Sequence, residues 1–571
     1  MVLNGKSAAP GVAVGSVLIF NNQSSIPKEA VVPAGEEQSH LDKYNLIKKE
    51  AIYELDSIRL SMLERDAKKA DIFTAHKEIV DDIIINEEIT SKILNSRWAG
   101  DWAVYKVYDT YINVLQQTPD PLISERAADF DDVRALLLRL WYGQKKIVLS
   151  SLNEPVIIAA CDFKPSDAAN SNKNNVLAIL AEQGGITSHT AIIAKSYGIP
   201  AVFGLEGLLK NVKNGQTAAV DAAQGIVILD PSPDTIKEYK KKHETFCRDK
   251  DDAEKYKAKE GRTSCGVKID IGLNIANADD NELSASLYTD SVGVFRTEFI
   301  YIGRKTLPEE EEQFLIYKKV LECFTERPVI LRTMDIGGDK KLSCMELPDE
   351  ENPFLGNRAL RFCFKNPDIF KIQIRACLRA SVFGCLWLML PMVTSLEDIR
   401  KAKEHIETAR RELEKEGKSF KEIKLGVMIE IPSVALIADL ICKEVDFASI
   451  GSNDLIQYVC AADRMNVEVE PYYQSYHPAV FRLIKKTIDA FNDVGKPVSF
   501  CGELGSDPKA VPVLIGLGMR KLSMNAASVA AVKRAVSSIT VKKAEEIAAN
   551  VMQLSTAAEI EKYLSGVFQV V

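Results

Sequence analysis

His189 lies in the run Gly184-Gly-Ile-Thr-Ser-His-Thr-Ala-Ile-Ile-Ala194 and is one of six histidines in 571 residues. The paired glycines favour a turn, Thr187 or Ser188 can cap, and Ala191–Ala194 opens an apolar helix. A histidine so placed faces free backbone N–H groups and the positive end of a helix dipole, a setting that suits a phosphorylated imidazole. The hydroxyls on either side can orient the ring or bond phosphoryl oxygens. A capping role without chemistry is the competing reading of this segment alone. The other histidines, His40, His76, His243, His405 and His477, stand in charged or loop contexts and read as surface residues, His76 excepted.

A second group of candidates recurs just after apolar runs. It comprises Arg296-Thr-Glu298, the stretch Arg332 to Lys340, Glu430, Asn453-Asp454 and Cys501-Gly-Glu503. Charged side chains rarely enter a core unless they are paired or ligating. Glu430 and Asp454 offer hard oxygens to Mg²⁺, which takes few protein ligands and keeps room for substrate oxygens. Arg296, Arg332, Arg358 and Arg464 offer planar forks for phosphate and carboxylate. Together these types suit a substrate carrying both groups and bound through a metal. Cys501 can donate or accept a proton; a small buried thiol is the competing reading. Any one of these residues could form a structural ion pair, so the argument rests on their gathering at one rim.

The elements that must position them fall into three textures. Residues 1–20 look like β-structure. From about 36 to 145, apolar residues recur at three- and four-residue steps, as in Leu41, Tyr44, Ile52, Leu55, Ile58 and Met62, and four amphipathic helices are predicted. Short apolar runs then return between residues 156 and 229, so the bundle reads as an insertion into an α/β domain. Pro231-Ser-Pro233 closes that domain, and the charge-dense stretch Lys237–Arg262 reads as a solvated linker helix. From residue 266 onward eight strand-like runs alternate with helices, the pattern of a (β/α)₈ barrel whose active residues sit at strand C-termini. The first of these strands is predicted over Val267–Ile275.

Composition excludes several classes. Net charge is −8 with no basic block, so no nucleic-acid footprint is expected. Eleven cysteines, from Cys161 to Cys501, form no CxxC pair, which suits reduced cytosolic thiols. The start lacks the apolar stretch of a signal peptide, and the run around Cys385–Met392 is too short to span a bilayer. The expectation is a cytoplasmic protein without membrane insertion.

The run GGITSHTAIIAKSYGIPAVFG closely resembles the phosphohistidine segment of Enzyme I, the phosphoenolpyruvate–protein phosphotransferase family of the bacterial sugar phosphotransferase system. The likeness continues through VGVFRTEFIY, LRTMDIGGDK, ENPFLGNRALR, GVMIEIPS, FASIGSNDLIQY and CGELGSD, in the family's order and spacing, and covers almost the whole chain. It implies a multidomain α/β protein. Residues 1–20 and 148–230 would form a swivelling phosphohistidine domain, 21–147 an inserted helical domain that docks the carrier HPr, and 231–262 a linker helix. Residues 263–571 would form the phosphoenolpyruvate-binding TIM barrel, through which the chain forms a homodimer.

The same resemblance implies site roles. His189 would be the phosphorylated nucleophile and Cys501 the proton donor to the enolate of pyruvate. Arg296, Arg332, Asn453, Asp454 and Arg464 would hold phosphoenolpyruvate, Arg358 would clamp phosphate further, and Glu430 and Asp454 would bind Mg²⁺. Two departures stand out. Ile186 occupies a position that is usually arginine, and Phe130–Arg134 drifts from the pattern of the carrier-docking helices. A swivel of His189 between barrel and carrier implies hinges near Pro231–Lys242 and at 145–155. Nucleotide-dependent relatives of the family, a nitrogen-branch paralogue and a non-catalytic scaffold are the competing readings. The first is disfavoured because no Gly-rich nucleotide segment precedes residue 20, the second because such a paralogue would be expected to carry an added N-terminal sensory domain, and the third because His189, Glu430, Asp454 and Cys501 are all present.

Overall fold

The computed structural model describes residues 1–570 apart from 21–26, 64–66, 117, 119–120, 144–151, 153, 162, 164–174, 184–193, 195–197, 303, 305, 339, 341, 343, 346 and 349. The chain forms two compact units, Met1–Lys240 and Lys241–Val571.

The first unit contains an eight-stranded sheet. Its strands are β1 (Val2–Asn4), β2 (Lys6–Ala9), β3 (Val12–Ile19), β4 (Val156–Ala160), β5 (Val176–Ala181), β6 (Ala201–Phe203), β7 (Thr217–Asp221) and β8 (Ile226–Leu229). They lie in the order β1-β8-β7-β3-β4-β5-β6-β2. The four strands from β3 to β6 are parallel; the others pair antiparallel. Side chains alternate across a strand, so Ala178 and Leu180 enter one core while Ile179 and Ala181 enter another. Burial on both faces explains why these strands read as unbroken apolar runs. Strand β5 leads through Glu182 and Gln183 into residues 184–193. Ile186 and His189 therefore lie outside the described residues, as does most of the 145–155 crossover.

Between β3 and β4 the described residues form five helices rather than four. They are α1 (Glu37–Leu63), α2 (Ala67–Asp81), α3 (Ile83–Leu94), α4 (Gly100–Gln116) and α5 (Pro121–Trp141). The extra break has a local cause. Asp82 leaves the helical region (φ −57°, ψ 124°), and its carboxylate accepts the Ile85 N–H, capping α3. Tyr44, Ile89, Val104, Tyr108, Val133 and Leu138 meet in the bundle core. His76 is buried and meets Asp129 at 3.2 Å. Helix α6 (Pro233–Glu254) begins inside the Pro231–Pro233 punctuation, since proline is tolerated in a first turn. Its Tyr239 packs on Val12 and Ala219.

The second unit is a closed, all-parallel barrel of eight strands. These are β9 (Asp270–Ile275), β10 (Ser291–Arg296), β11 (Pro328–Arg332), β12 (Cys385–Leu390), β13 (Lys424–Ile429), β14 (Phe447–Ile450), β15 (Val498–Phe500) and β16 (Lys521–Met524). β9 pairs with both β10 and β16 and so closes the ring. It starts three residues later than predicted because the chain before it folds back on itself. Thr263 and Val267 exchange backbone and hydroxyl bonds around Gly266, and Arg262 bridges to Lys268. Helices α7 (Glu310–Phe324) and α8 (Pro367–Ala380) cover β11 and β12. His405 is not a plain surface residue: its ring stacks on Phe364 and meets Phe370 edge-on. Among the described residues no helix is long and apolar enough to cross a membrane.

Candidate active site

Arg296, Arg332, Glu430, Asn453, Asp454 and Cys501 all sit at or just beyond the C-terminal ends of barrel strands, where a barrel's loops can converge on a substrate. Arg358 and Arg464 arrive on longer connections and reach the same rim through Asp454. The Arg358 fork donates to both Asp454 oxygens at 3.3 and 3.2 Å, and Arg464 lies 3.7 Å from Asp454. Asn453 accepts the Glu503 N–H at 3.0 Å, tying the loops after β14 and β15 together.

Three residues that carried no assigned role in the sequence complete this cluster. Glu298 and Asp335 are fully buried, and Lys340 bridges them at 2.8 and 2.9 Å. Arg332 donates to Glu298 at 2.6 Å and lies 3.2 Å from Asp335. Asp335 also receives Arg358 Nε and Nη2 at 2.8 and 3.0 Å, a bidentate pair. Glu298 and Asp335 stand inside the runs RTE and RTMDIGGDK, so their presence near the rim was legible, but not their partners. Gly337 has φ 96°, and a Cβ there would lie 2.4 Å from the Asn357 carbonyl. Glycine is thus required where the loop after β11 crosses the backbone that delivers Arg358.

Burial alone would push the Glu298 carboxyl up, but Arg332 and Lys340 outweigh it and hold the group below its ordinary value. Asp335 is likewise held well below, against burial, by Arg358, Lys340 and Arg332. Asp454 is held down, against burial, by Arg358 and Arg464. Glu430 is the exception. Burial, then Asp454 and Asp335, push it up to about 8. One of its oxygens accepts the Met392 N–H at 2.6 Å, while the other is buried without a partner. Met392 holds a left-handed backbone (φ 52°) as it presents that N–H, a conformation costing on the order of 1–3 kcal/mol.

A buried carboxylate that is short of positive charge, beside a second carboxylate, fits a hard divalent cation. Among the described residues no three His, Cys, Asp or Glu side chains gather as a ready-made metal cluster. Glu430 and Asp454 would therefore supply two ligands and leave the remaining positions to substrate and water. Cys501 is buried, its thiol lies 3.5 Å from the Ile450 carbonyl, and burial pushes its pKa up. That shift favours the protonated thiol. A cavity of about 340 Å³ opens at the other, N-terminal end of the barrel, between Asp270, Trp387, Phe447 and Lys521, and includes none of these residues.

Comparison with known proteins gives this arrangement a class. Three family descriptions match the chain: "PEP-utilising enzyme, PEP-binding domain" over residues 250–541, "PEP-utilising enzyme, mobile domain" over 152–225 and "PEP-utilising enzyme, N-terminal" over 4–126. The chain is 39% identical over 561 residues to the phosphoenolpyruvate-protein phosphotransferase of Staphylococcus carnosus, covering 98% of this chain and 97% of that one. It is 37% identical over 569 residues to that of Bacillus subtilis, covering 99% and 100%. A solution structure of Enzyme I (nEIt) matches 43% of this chain and 99% of its own at 33% identity, with a TM-score of 0.34. The chain belongs to the phosphoenolpyruvate–protein phosphotransferase family, Enzyme I.

Proposed function

We propose that the chain transfers the phosphoryl group of phosphoenolpyruvate to its own His189 and then to the histidine of the carrier HPr, releasing pyruvate. The observation that carries the barrel's part is the rim itself, where arginines braced by buried carboxylates stand beside an under-neutralised Glu430 and a protonated Cys501. Arg296, Arg332 and Arg464, with Asn453, would take the phosphate and carboxylate of the substrate. Arg358, expected as a further phosphate clamp, has its fork filled by Asp335 and Asp454. That geometry supports a role in fixing Asp454. Mg²⁺ held by Glu430 and Asp454 would offset the negative charge of the substrate oxygens.

In the first half-reaction a neutral His189 nitrogen attacks phosphorus in line. The N–P bond forms as the bond from phosphorus to the enol oxygen breaks. The arginines stabilise charge on the transferring group, so positioning and electrostatics carry most of the catalysis. The departing enolate takes the Cys501 proton at carbon, and pyruvate leaves. In the second half-reaction the carrier's histidine attacks the same phosphorus, its N–P bond forming as the bond from phosphorus to His189 breaks and leaves that imidazole neutral. Ile186 supplies no cation at the His189 segment, so either a lysine or arginine elsewhere meets that phosphoryl charge or the phosphohistidine is less well held.

A domain swivel, docking of HPr on the helices between β3 and β4, a homodimer through the barrel and a cytoplasmic location belong to the same reading. Incubation with labelled phosphoenolpyruvate and Mg²⁺ tests it. The expected label is acid-labile, stable in alkali and absent from His189→Ala. Equal labelling of that variant would end the proposal.

A further inference from the structure

Beneath the rim runs a chain of buried hydrogen bonds that none of the steps above uses. Gln373 on α8 and Thr297, just after β10, are both fully buried. Gln373 accepts the Met334 N–H at 2.9 Å and donates to Thr297 Oγ1 at 2.9 Å and to the Tyr317 hydroxyl at 3.3 Å. Thr297 in turn donates to the carbonyl of Arg332 at 2.7 Å. On the far side, Tyr317 on α7 donates to Gln313 at 3.0 Å, and Gln313 donates to the Pro308 carbonyl at 3.0 Å. The donors run outward from Gln373 in two directions, ending on the Arg332 carbonyl through Thr297 and on the Pro308 carbonyl through Tyr317 and Gln313. The Gln373 amide has one workable orientation, because flipping it would set its NH₂ against the Met334 N–H.

Arg296 and Arg332 are register partners at the ends of β10 and β11. The Thr297 hydroxyl joins the residue after the first to the carbonyl of the second, and Gln373 holds both Thr297 and the backbone two residues beyond Arg332. Two loops already linked at the rim by Arg332–Glu298 and by Lys340 are pinned from below to one side chain on an underlying helix. Such a fully satisfied buried network is rigid, and removing one member strands its partners.

We infer that Thr297 and Gln373 are positioning residues that fix the spacing of Arg296 and Arg332, and so set the affinity of the rim for a doubly anionic substrate. The inference rests on the reading that these arginines hold phosphoenolpyruvate.

The test is steady-state kinetics of the full-length chain with phosphoenolpyruvate, Mg²⁺ and HPr. Thr297→Val is close in shape but removes the hydroxyl. It should raise KM for phosphoenolpyruvate on the order of 10-fold while kcat changes less than about 2-fold and KM for HPr stays put, the pattern of lost ground-state positioning. Thr297→Ser, which restores the donor, should bring KM back. Tyr317→Phe cuts the network one link further out and should raise KM about 2-fold, which covers the case in which the valine variant fails to fold. A Thr297→Val enzyme with unchanged KM, or one that only loses its active fraction, overturns the inference, as does a serine variant as impaired as valine. Arg332→Gln separates the two levels. If it leaves KM unchanged, the reading of the rim is wrong; if it raises KM and Thr297→Val does not, only the positioning role is wrong.

Discussion

Cys501 and Cys265 are opposites in one chain, and the difference follows from solvent and neighbours. Burial makes the Cys501 thiolate costly and pushes its pKa up. Cys265 is exposed, and bonds from Thr263 and the Val541 N–H pull its pKa down. Alkylation requires the thiolate. Iodoacetamide at about pH 7.5 should therefore label Cys265 quickly and Cys501 barely. Peptide mass spectrometry reads both sites at once. Similar labelling at that pH would mean that Cys501 is not held as a proton donor. Asp335 gives a second residue-scale expectation. Its folded pKa is depressed, so its ionised form contributes stability above the ordinary carboxylate value of 3.8 that is lost as pH falls through the folded value. Asp335→Asn leaves Arg358 buried beside half a partner and should cost about 3–5 kcal/mol at neutral pH. Chemical denaturation followed by circular dichroism should show that gap narrowing in strong acid. A gap that stays constant would mean that charge is not its source.

Among the elements, the break at Asp82 is the most local feature and the easiest to probe. Asp82→Ala removes the bond to the Ile85 N–H at 3.0 Å and should destabilise the helical bundle by about 1 kcal/mol. Thermal denaturation should show a lowered midpoint, and Asp82→Asn, also a good cap, should recover most of it. Equal stability of the alanine variant would assign the break to packing alone. That break was hidden in the sequence because Phe73, Ile79, Val80 and Ile83 keep a helical spacing across it. Periodicity does not report whether the backbone pauses, and after the pause Ile83 is exposed while Ile85 is buried. The barrel strands were legible for the converse reason: each is short, apolar and punctuated, and the runs Phe447–Ile450, Val498–Phe500 and Lys521–Met524, which read as strands, are β14, β15 and β16. The rim's chemical residues were legible because charge after an apolar run is conspicuous. Their pairings were not. Arg358 meets Asp454 96 residues away, and Gln373 meets Thr297 76 residues away. Barrel closure sets those meetings, and no local spacing encodes them. Gln373 left no signal at all, being one polar residue on the buried side of an otherwise ordinary amphipathic helix.

For the molecule as a whole, the division between Lys240 and Lys241 falls inside α6. Each unit carries its own cores: the sheet and bundle clusters in one, and in the other a continuous cluster around the barrel from Ile269 to Leu564. Units with separate cores need not unfold together. Scanning calorimetry should therefore resolve at least two transitions. A ligand that binds only the folded barrel stabilises it by RT ln(1 + [L]/Kd), about 2.7 kcal/mol at a hundredfold excess over Kd. Pyruvate with Mg²⁺ is a suitable probe because, on the proposed function, it would occupy the rim without charging His189. It should raise the barrel transition and leave the other in place, and Glu430→Gln should abolish the shift by weakening the metal's hold. If both transitions rose together in parallel, the units would be energetically coupled through α6. The swivel would then have to work against that coupling, and a flexible hinge near Pro231–Lys242 would be the wrong description of how His189 is delivered.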